Sequence, residues 1–204
     1  ALNQATKEGW TPAFAAAQQG QTAALELLVE AGCDVNQAMK DGTTPAYIAA
    51  HQGQTEALEL LLGAGSDVNQ AMKDGTTPAY IAAHQGQTEA LELLLGAGSD
   101  VNQAAKNGRT PAFIAAQECH TAALELLVKA GCDVNQAEEN GWTPAFVAAY
   151  EGHATALEIL VKTPGCDVNK ANKNGATPAH TAAWNGQTAA LGILVEAGCD
   201  VNQA

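Results

Sequence analysis

Two short apolar runs alternate along the chain with polar, glycine-containing segments, and residues 44–65 contain one run of each kind. The first run is rich in alanine, starts with Pro45 after Thr44 and stops before Gly53. Threonine is a favoured N-cap, proline suits the first helical position, and glycine accepts the left-handed backbone of a C-cap. The run therefore predicts a short helix from about Pro45 to Gln52.

The second apolar run predicts another helix, from about Thr55 to Leu62. Its apolar residues recur at helical spacing and alternate with acids, which is the pattern of a helix with one buried face. We expect Thr55 to cap this helix and Glu56 to lie favourably against the helix dipole. The stripe predicted to be buried comprises Ala57, Leu58, Leu61 and Leu62.

The two-helix pattern repeats along the whole chain. Residues 34–71 are identical to residues 67–104, an offset of 33 (67 − 34). A fixed period of this length indicates a solenoid in which each unit packs on its neighbours. We therefore predict a single array of six repeats over residues 1–204. The Gly-x-Thr-Pro-Ala core of these repeats begins at Gly9, Gly42, Gly75, Gly108, Gly141 and Gly175.

The second repeat carries the residues that relate the pattern to a known family. It reads Gly-Thr-Thr-Pro-Ala-Tyr-Ile-Ala-Ala-His-Gln-Gly over residues 42–53 and Leu-Leu-Gly-Ala-Gly-Ser-Asp-Val-Asn over residues 61–69. This sequence resembles the ankyrin repeat. The resemblance implies an all-α solenoid of helix-turn-helix units, with short hairpin loops between the repeats.

Two positions depart from the ankyrin pattern. Alanine replaces the leucine that normally follows proline in every repeat, and an aromatic residue replaces the usual histidine in five of the six repeats. A smaller residue followed by a larger one suggests compensated packing, so the predicted fold stands. The aromatic residues are Phe14, Tyr47, Tyr80, Phe113 and Phe146, whereas His180 conforms.

Two repeats contain local irregularities. Cys119 stands where other repeats have glycine between their helices, so it must adopt or avoid a left-handed backbone at a cost of roughly 1 kcal/mol. Residues 162–165 form a segment one residue longer than its counterpart at residues 30–32. We expect a local bulge there rather than a domain boundary.

Both ends of the sequence resemble interior parts of an array. Residues 2–5 match residues 35–38, so residues 1–5 are interpreted as the tail of a preceding repeat. Solenoids usually need terminal repeats with a polar outer face, but Leu191 and Leu194 of the last repeat are interior-like. We expect either a segment of a longer array or ends that stack head to tail on other copies.

Charge and composition argue against two kinds of partner. The formal net charge is −13 and there is no basic run, so we predict no binding to nucleic acid. No stretch approaches the roughly 18 apolar residues that a membrane-spanning helix needs, so we predict no membrane insertion. The hydrophobic content is 47% but only 4% is aromatic, which predicts a core of alanine, leucine and valine.

The cysteines are predicted to be free thiols. Four of the five occupy the same position in different repeats, and equivalent positions in stacked helical repeats lie about 10 Å apart. A disulfide needs Cα atoms within about 7 Å. Free thiols favour a reducing, intracellular location, and we expect the cytoplasm. The cysteines are Cys33, Cys119, Cys132, Cys166 and Cys199.

Residues that differ between otherwise repeated units are the candidates for binding. One variable position follows the turn glycine and another follows the Ala-Ala pair of the first helix, and these positions hold all three tryptophans. The resemblance places both positions on the concave side of the family's fold. Tryptophan and arginine are enriched at binding hot spots. The predicted partner-binding residues are Trp10, His51, His84, Arg109, Trp142, Tyr150 and Trp184.

Metal, cofactor and catalytic sites are not predicted. His51 and His84 lie one repeat apart, about 10 Å by helix packing distances, which is too far to share a zinc ion. Cys119 precedes His120, but no third orienting group accompanies this pair. A ladder of second-helix glutamates predicts a solvated face, with a basic partner as the alternative; its members are Glu26, Glu59, Glu92, Glu125 and Glu158.

Two functional hypotheses remain open. The first is a non-catalytic scaffold that binds a protein partner on the concave face, and the tryptophans favour it. The second is a structural spacer within a longer ankyrin array, with no specific partner of its own. The identity of residues 34–71 and 67–104 favours the spacer, because copying preserves length rather than specificity.

Overall fold

A computed structural model describes residues 2–202, so Ala1 of the predicted tail 1–5 lies outside the described residues. The described residues form helices and turns without a β-strand, which confirms the predicted all-α class. The twelve helices found there are α1 (Pro12–Gln18), α2 (Thr22–Glu30), α3 (Pro45–Gln52), α4 (Thr55–Gly63), α5 (Pro78–Gln85), α6 (Thr88–Gly96), α7 (Pro111–Gln117), α8 (Thr121–Lys129), α9 (Pro144–Glu151), α10 (Ala154–Lys162), α11 (Pro178–Trp184) and α12 (Thr188–Glu196).

The helices are grouped into two compact units, residues 1–100 and residues 101–204. In the first unit, α1, α3 and α5 pack side by side in chain order, and each also packs on the second helix of its own repeat. In the second unit, α7, α9 and α11 form the corresponding layer, and α8, α10 and α12 form the layer behind it. The single array over residues 1–204 stays a prediction.

Every first helix begins with the predicted threonine cap. The threonine has extended backbone, and its Oγ1 accepts a hydrogen bond of 3.0–3.2 Å from the backbone N–H three residues later. A proline follows at the start of each helix, where its missing N–H costs nothing. The predicted bounds of α3 are confirmed. The capping residues are Thr11, Thr44, Thr77, Thr110, Thr143 and Thr177.

The prediction that Thr55 caps the second helix is wrong. Thr55 is the first residue of α4, and the N-cap is Gln54, whose side chain makes no capping hydrogen bond. The Gln54 backbone N–H instead donates to the Ala49 carbonyl at 2.9 Å and closes the end of α3. Gly53 has the predicted left-handed backbone, with φ 68°. The turn between the helices is therefore too tight for a separate threonine cap.

The core consists of small and medium apolar residues, as the composition predicts. Of the predicted stripe in α4, Ala57, Leu58 and Leu61 are buried and Leu62 is half-buried. The alanine and aromatic pair that departs from the family pattern is buried as well, as in Ala46 and Tyr47. The small alanine allows close approach of neighbouring first helices, while the ring fills the space beside it.

An asparagine at the end of each repeat joins it to the next repeat. Within residues 2–202, the asparagine Oδ1 accepts a bond of 2.7–2.8 Å from an aspartate backbone N–H 31 or 32 residues later. The asparagine side chain thus satisfies a backbone group in the loop of the following repeat. The pairs are Asn3–Asp34, Asn36–Asp67 and Asn69–Asp100 in the first unit, and Asn102–Asp133, Asn135–Asp167 and Asn169–Asp200 in the second unit.

Both irregular repeats keep their helices. Cys119 adopts the left-handed backbone with φ 58°, the one positive φ of a non-glycine residue between residues 2 and 202. The extra residue of the fifth repeat lies in the loop after α10, where Thr163 has extended backbone and its hydroxyl donates to the Ile159 carbonyl at 2.8 Å. The expected bulge is therefore absorbed outside the helices.

Candidate partner-binding surface

The residue after each turn glycine has its backbone fixed by a side-chain oxygen of the same turn loop. In the second repeat the Oδ1 of Asp41 accepts bonds from the N–H and the hydroxyl of Thr43, at 2.9 and 2.7 Å. These hydrogen bonds lower the pKa of Asp41 below its ordinary value. In the fourth repeat the Oδ1 of Asn107 accepts from the N–H of Arg109 at 3.1 Å.

In the two repeats with a tryptophan at this position, the side-chain oxygen that accepts from the tryptophan N–H lies four residues earlier in the chain. The Trp10 N–H donates to the Thr6 hydroxyl at 3.1 Å. The Trp142 N–H donates to the Oε1 of Glu138 at 3.2 Å, and Glu138 is buried. The Asn140 N–H and its side-chain amide also donate to the Glu138 carboxylate, at 2.7 and 3.1 Å. Glu138 therefore organises the loop that presents Trp142.

The side chain after the turn glycine lies on the aromatic ring that replaces the family's histidine. The ring centroids of Trp10 and Phe14 are 5.4 Å apart, and those of Trp142 and Phe146 are 4.7 Å apart. The guanidinium carbon of Arg109 lies 5.3 Å from the centroid of Phe113. The turn loops and the first helices thus share one surface in each of these repeats.

These buried rings were not among the predicted site residues. Phe14, Phe113 and Phe146 are buried and support the exposed residues above them. In the second repeat the hydroxyl of Tyr47 lies 3.4 Å from the hydroxyl of Thr76 in the next turn loop. The aromatic residue at the family's histidine position was the signal in the sequence that could have identified this support.

The second unit brings two of the predicted residues together. The ring centroids of Trp142 and Tyr150 lie 5.0 Å apart, and Tyr150 is 39% exposed. Arg109, on the neighbouring repeat, packs its guanidinium over the ring of Phe113. Trp184 is 83% exposed and its ring stacks on His180, with centroids 6.5 Å apart.

The first unit places its three predicted residues on separate repeats. Trp10 is 41% exposed beside α1, whereas His51 and His84 are half-buried in the last turns of α3 and α5. The His84 ring lies 6.4 Å from the ring of Tyr80. Both histidines of this unit are therefore less accessible than Trp10.

An apolar groove lies at the C-terminal end of the second unit. Its volume is about 570 Å³, and α11, α12 and the segment after α12 line it. The apolar side chains that line it include Trp184, Leu191, Val195 and Val201. Val195 and Val201 are exposed, so the groove presents apolar side chains to solvent.

The remaining polar chemistry is sparse. Within residues 2–202, no group of three or more histidine, cysteine or acidic residues could hold a metal ion. All five cysteines are free, and burial, together with the neighbouring aspartate, raises the pKa of Cys132 and of Cys166 to about 11. The sulfur of Cys119 lies 3.6 Å from the hydroxyl of Thr155.

The acidic ladder lies on the exposed side of the second helices, as predicted. All five glutamates of the ladder are exposed. Glu158 forms an ion pair of 3.1 Å with Lys162, one helical turn away, and both side chains are open to solvent. Such a pair contributes little to stability, so the ladder is a solvated face.

The fold and the surface define a class, the helix-turn-helix repeat proteins. A sequence model described as ankyrin repeats (3 copies) matches residues 1–72, 64–138 and 123–204. The chain therefore belongs to the ankyrin repeat family, whose repeats generally mediate protein–protein interactions. No curated protein sequence matches it. Within the described residues, no helix is both long and apolar enough to cross a membrane.

Proposed function

We propose that this chain is a non-catalytic scaffold that binds a protein partner through its turn loops and first helices, the concave side in the family. The observation that supports this most strongly is the contact of Trp142 with Tyr150, two partly open rings, together with the packing of Trp142 on the buried ring of Phe146. Aromatic side chains at such positions supply much of the binding energy in protein interfaces.

The support beneath these rings favours binding because it limits the loss of side-chain freedom. A tryptophan already packed on a buried phenylalanine, with its backbone fixed by Glu138, has few conformations to lose when a partner covers it. Preorganisation of this kind improves affinity without further contacts. A spacer would gain nothing from it, so we place the spacer second.

Partner capture from a matched cell lysate tests the proposal. The whole chain is compared with a variant in which Trp10, Trp142 and Trp184 are replaced by alanine. Loss of the captured protein, by about tenfold or more, is expected if these residues are hot spots. Leu27→Ala is the control, because Leu27 is 68% exposed on the second-helix side.

Equal capture by both proteins would favour the structural spacer. Thermal unfolding of the triple variant must accompany the capture, since a large loss of melting temperature would mean that the rings serve packing. The free thiols support an intracellular, cytoplasmic partner, and the net charge of −13 supports a partner other than nucleic acid.

We also propose that the apolar groove at the C-terminal end takes part in head-to-tail association between copies. Exposed apolar residues favour it, since Val195 and Val201 would be covered by a neighbouring repeat surface. Sedimentation at increasing protein concentration tests this idea. A monomer at millimolar concentration would remove it without affecting the proposed scaffold role.

A further inference from the structure

In each turn loop a side-chain oxygen accepts from the backbone N–H that follows the turn glycine, and it comes from one of two positions. In the fourth repeat the acceptor directly precedes the glycine, because the Oδ1 of Asn107 accepts from the Arg109 N–H at 3.1 Å. Ala105, two residues before Asn107, has no side-chain oxygen. In the sixth repeat Asn172 stands at the position of Ala105, and its Oδ1 accepts from the Ala176 N–H at 3.0 Å. Asn172 thus has in the sixth repeat the role that Asn107 has in the fourth.

This exchange leaves the side chain of Asn174 without a role in its loop. Asn174 occupies the position of Asn107, directly before Gly175, and its backbone N–H also donates to the Asn172 Oδ1, at 2.9 Å. Within residues 2–202 its side-chain amide makes no hydrogen bond, and the residue is exposed. The space beside Gly175 is open as well, since a Cβ placed there would meet nothing within 4 Å beyond its chain neighbours.

Four asparagines directly precede glycine, and the side-chain amides of the other three are held. The Oδ1 of Asn107 accepts the bond described above. The Nδ2 of Asn140 donates to the Glu138 carboxylate at 3.1 Å, and the Nδ2 of Asn185 donates to the Tyr150 carbonyl oxygen at 3.4 Å. All four asparagines are exposed, and the N–H of each following glycine donates to a carbonyl oxygen at 2.9–3.2 Å. Only the state of the amide therefore distinguishes Asn174.

We propose that Asn174 is a site of deamidation, a self-modification for which water is the one co-reactant. The backbone nitrogen of Gly175 loses its proton and forms a C–N bond with the side-chain carbonyl carbon of Asn174. The C–N bond of the side-chain amide breaks, and its nitrogen leaves as ammonia with the proton from Gly175. Water then opens the five-membered imide at either carbonyl, which gives aspartate or isoaspartate. Glycine favours the attack because it has no side chain to obstruct it.

A hydrogen-bonded amide reacts more slowly because it must break its bond before it can rotate toward the glycine nitrogen. The net strength of one such bond corresponds to a rate difference of about fivefold. All four glycine N–H groups are themselves bonded, so that cost is common to the four sites. Asn174 should therefore deamidate faster than the other three.

Deamidation would change the turn loop of the sixth repeat in two ways. It adds a negative charge where the second and third repeats already have Asp41 and Asp74. Isoaspartate also lengthens the main chain by one carbon, directly after Lys173, whose N–H donates to the Asn140 carbonyl oxygen at 2.9 Å. The modification thus alters the loop that hydrogen-bonds to the fifth repeat.

The test incubates the whole chain in mildly alkaline buffer and follows each asparagine by peptide mapping, with fragmentation that distinguishes aspartate from isoaspartate. We expect Asn174 to react about fivefold faster than Asn107 and Asn140. Asn185 should lie between them, because its bond of 3.4 Å is long. The rate should rise with pH, since the deprotonated nitrogen attacks. In concentrated urea the four sites should react at similar rates, because each is followed by glycine.

Two reciprocal variants test the role of Asn172. Asn172→Ala gives the sixth repeat the alanine of the fourth, so the Ala176 N–H becomes available to the Asn174 Oδ1, and we expect deamidation at Asn174 to slow about fivefold. Ala105→Asn is the converse exchange and should speed deamidation at Asn107. Asn172→Asp keeps the acceptor oxygen and should leave Asn174 the fastest site.

Three results would overturn the proposed site: a rate at Asn174 no higher than at Asn107 and Asn140, the same order of rates in urea, or a rate at Asn174 that Asn172→Ala does not lower. A variant that unfolds would show faster deamidation at all four asparagines, and the comparison of the folded and urea-treated original chain then decides. None of these results bears on the scaffold proposal, because deamidation requires no partner.

Discussion

The Nε2 of His153 lies 3.0 Å from the carbonyl oxygen of Gln117, which belongs to the preceding repeat. In three other places glutamine stands at the position of His153 and packs against a left-handed glycine. A Cβ added to Gly20, Gly53 or Gly152 would overlap with the side chain of the glutamine opposite. Opposite Cys119, where a glutamine would meet the Cβ that glycine lacks, the next repeat has His153 instead.

We expect Cys119→Gly to stabilise the protein by about 1 kcal/mol, because a left-handed backbone is strained for a residue with a Cβ. The φ of Cys119 is 58°, whereas glycine adopts this value without strain. Chemical denaturation of the two proteins measures the difference. Gly152→Cys is the reverse control and should destabilise by more, since its Cβ would also meet Gln187. A loss of stability in Cys119→Gly would contradict this account.

Replacing Glu138 by alanine should loosen the loop that carries Trp142. The buried carboxylate accepts bonds from Asn140 and Trp142, and their N–H groups would lose this partner at a cost of about 1–3 kcal/mol. Tryptophan fluorescence should shift toward the red and unfolding should occur at lower denaturant. Glu139→Ala is the matched control, because Glu139 is exposed. Equal behaviour of the two variants would show that Glu138 does not position Trp142.

The thiols of Cys132 and Cys166 should react slowly with alkylating agents near neutral pH. Burial raises the pKa of each thiol to about 11, against an ordinary value of 9.0. The thiolate fraction at pH 8 is then roughly 100-fold smaller than that of an ordinary thiol. Mass spectrometry after timed alkylation checks this, and unfolding in urea should abolish the protection. Rapid labelling of the native protein at both cysteines would contradict it.

The same raised pKa values give the protein a predicted pH dependence. Between the ordinary and the raised pKa values, the unfolded chain loses thiol protons that the folded chain retains, so stability falls as pH rises from about 9 to about 11. Replacing Cys132 and Cys166 by serine, the residue at Ser66 and Ser99 in equivalent repeats, should reduce this fall. Denaturation curves at several pH values measure it. If the substitution leaves the dependence of the free energy of unfolding on pH unchanged, titrating groups other than these thiols cause the loss of stability.

Asn135→Ala should destabilise the second unit by about 1–3 kcal/mol, because both ends of its amide are used. The Oδ1 accepts from the Asp167 N–H at 2.8 Å, and the Nδ2 donates to the Gly165 carbonyl at 2.7 Å. Urea denaturation compares this variant with Asn174→Ala, a change at an exposed turn residue. If both substitutions lower the free energy of unfolding equally, the hydrogen bonds of Asn135 between repeats stabilise the protein no more than an exposed turn residue does.

The sequence predicts elements whose signals are local, and it fails where one residue serves two elements. Thr44, Pro45 and Gly53 define α3 because each acts within one helix end. Thr55 was misassigned because Gln54, whose N–H closes the end of α3, already stands at the N-cap position of α4. Local propensity does not record that a neighbouring element already uses a group.

The candidate surface was predicted in part for a similar reason. The variable positions indicated Trp142 and Tyr150, but the ring of Trp142 also packs on Phe146. Phe146 was noted only as a departure from the family pattern and not as a site residue. Glu138 was also missed, although it stands where Met39 and Met72 stand in other repeats. The equivalent positions Thr6 and Asn172 also carry a side-chain oxygen, and this recurrence could have indicated a residue that organises the loop.

The pairing of Asn135 with Asp167 keeps its length of 2.8 Å although it spans one residue more than the other such pairs. The spacing of the bonds is thus independent of what the intervening loop contains. Excision or duplication of one whole repeat would rejoin an asparagine to an aspartate of the same kind. Unequal recombination between copies could therefore shorten or lengthen such a protein while every new junction reuses an existing one.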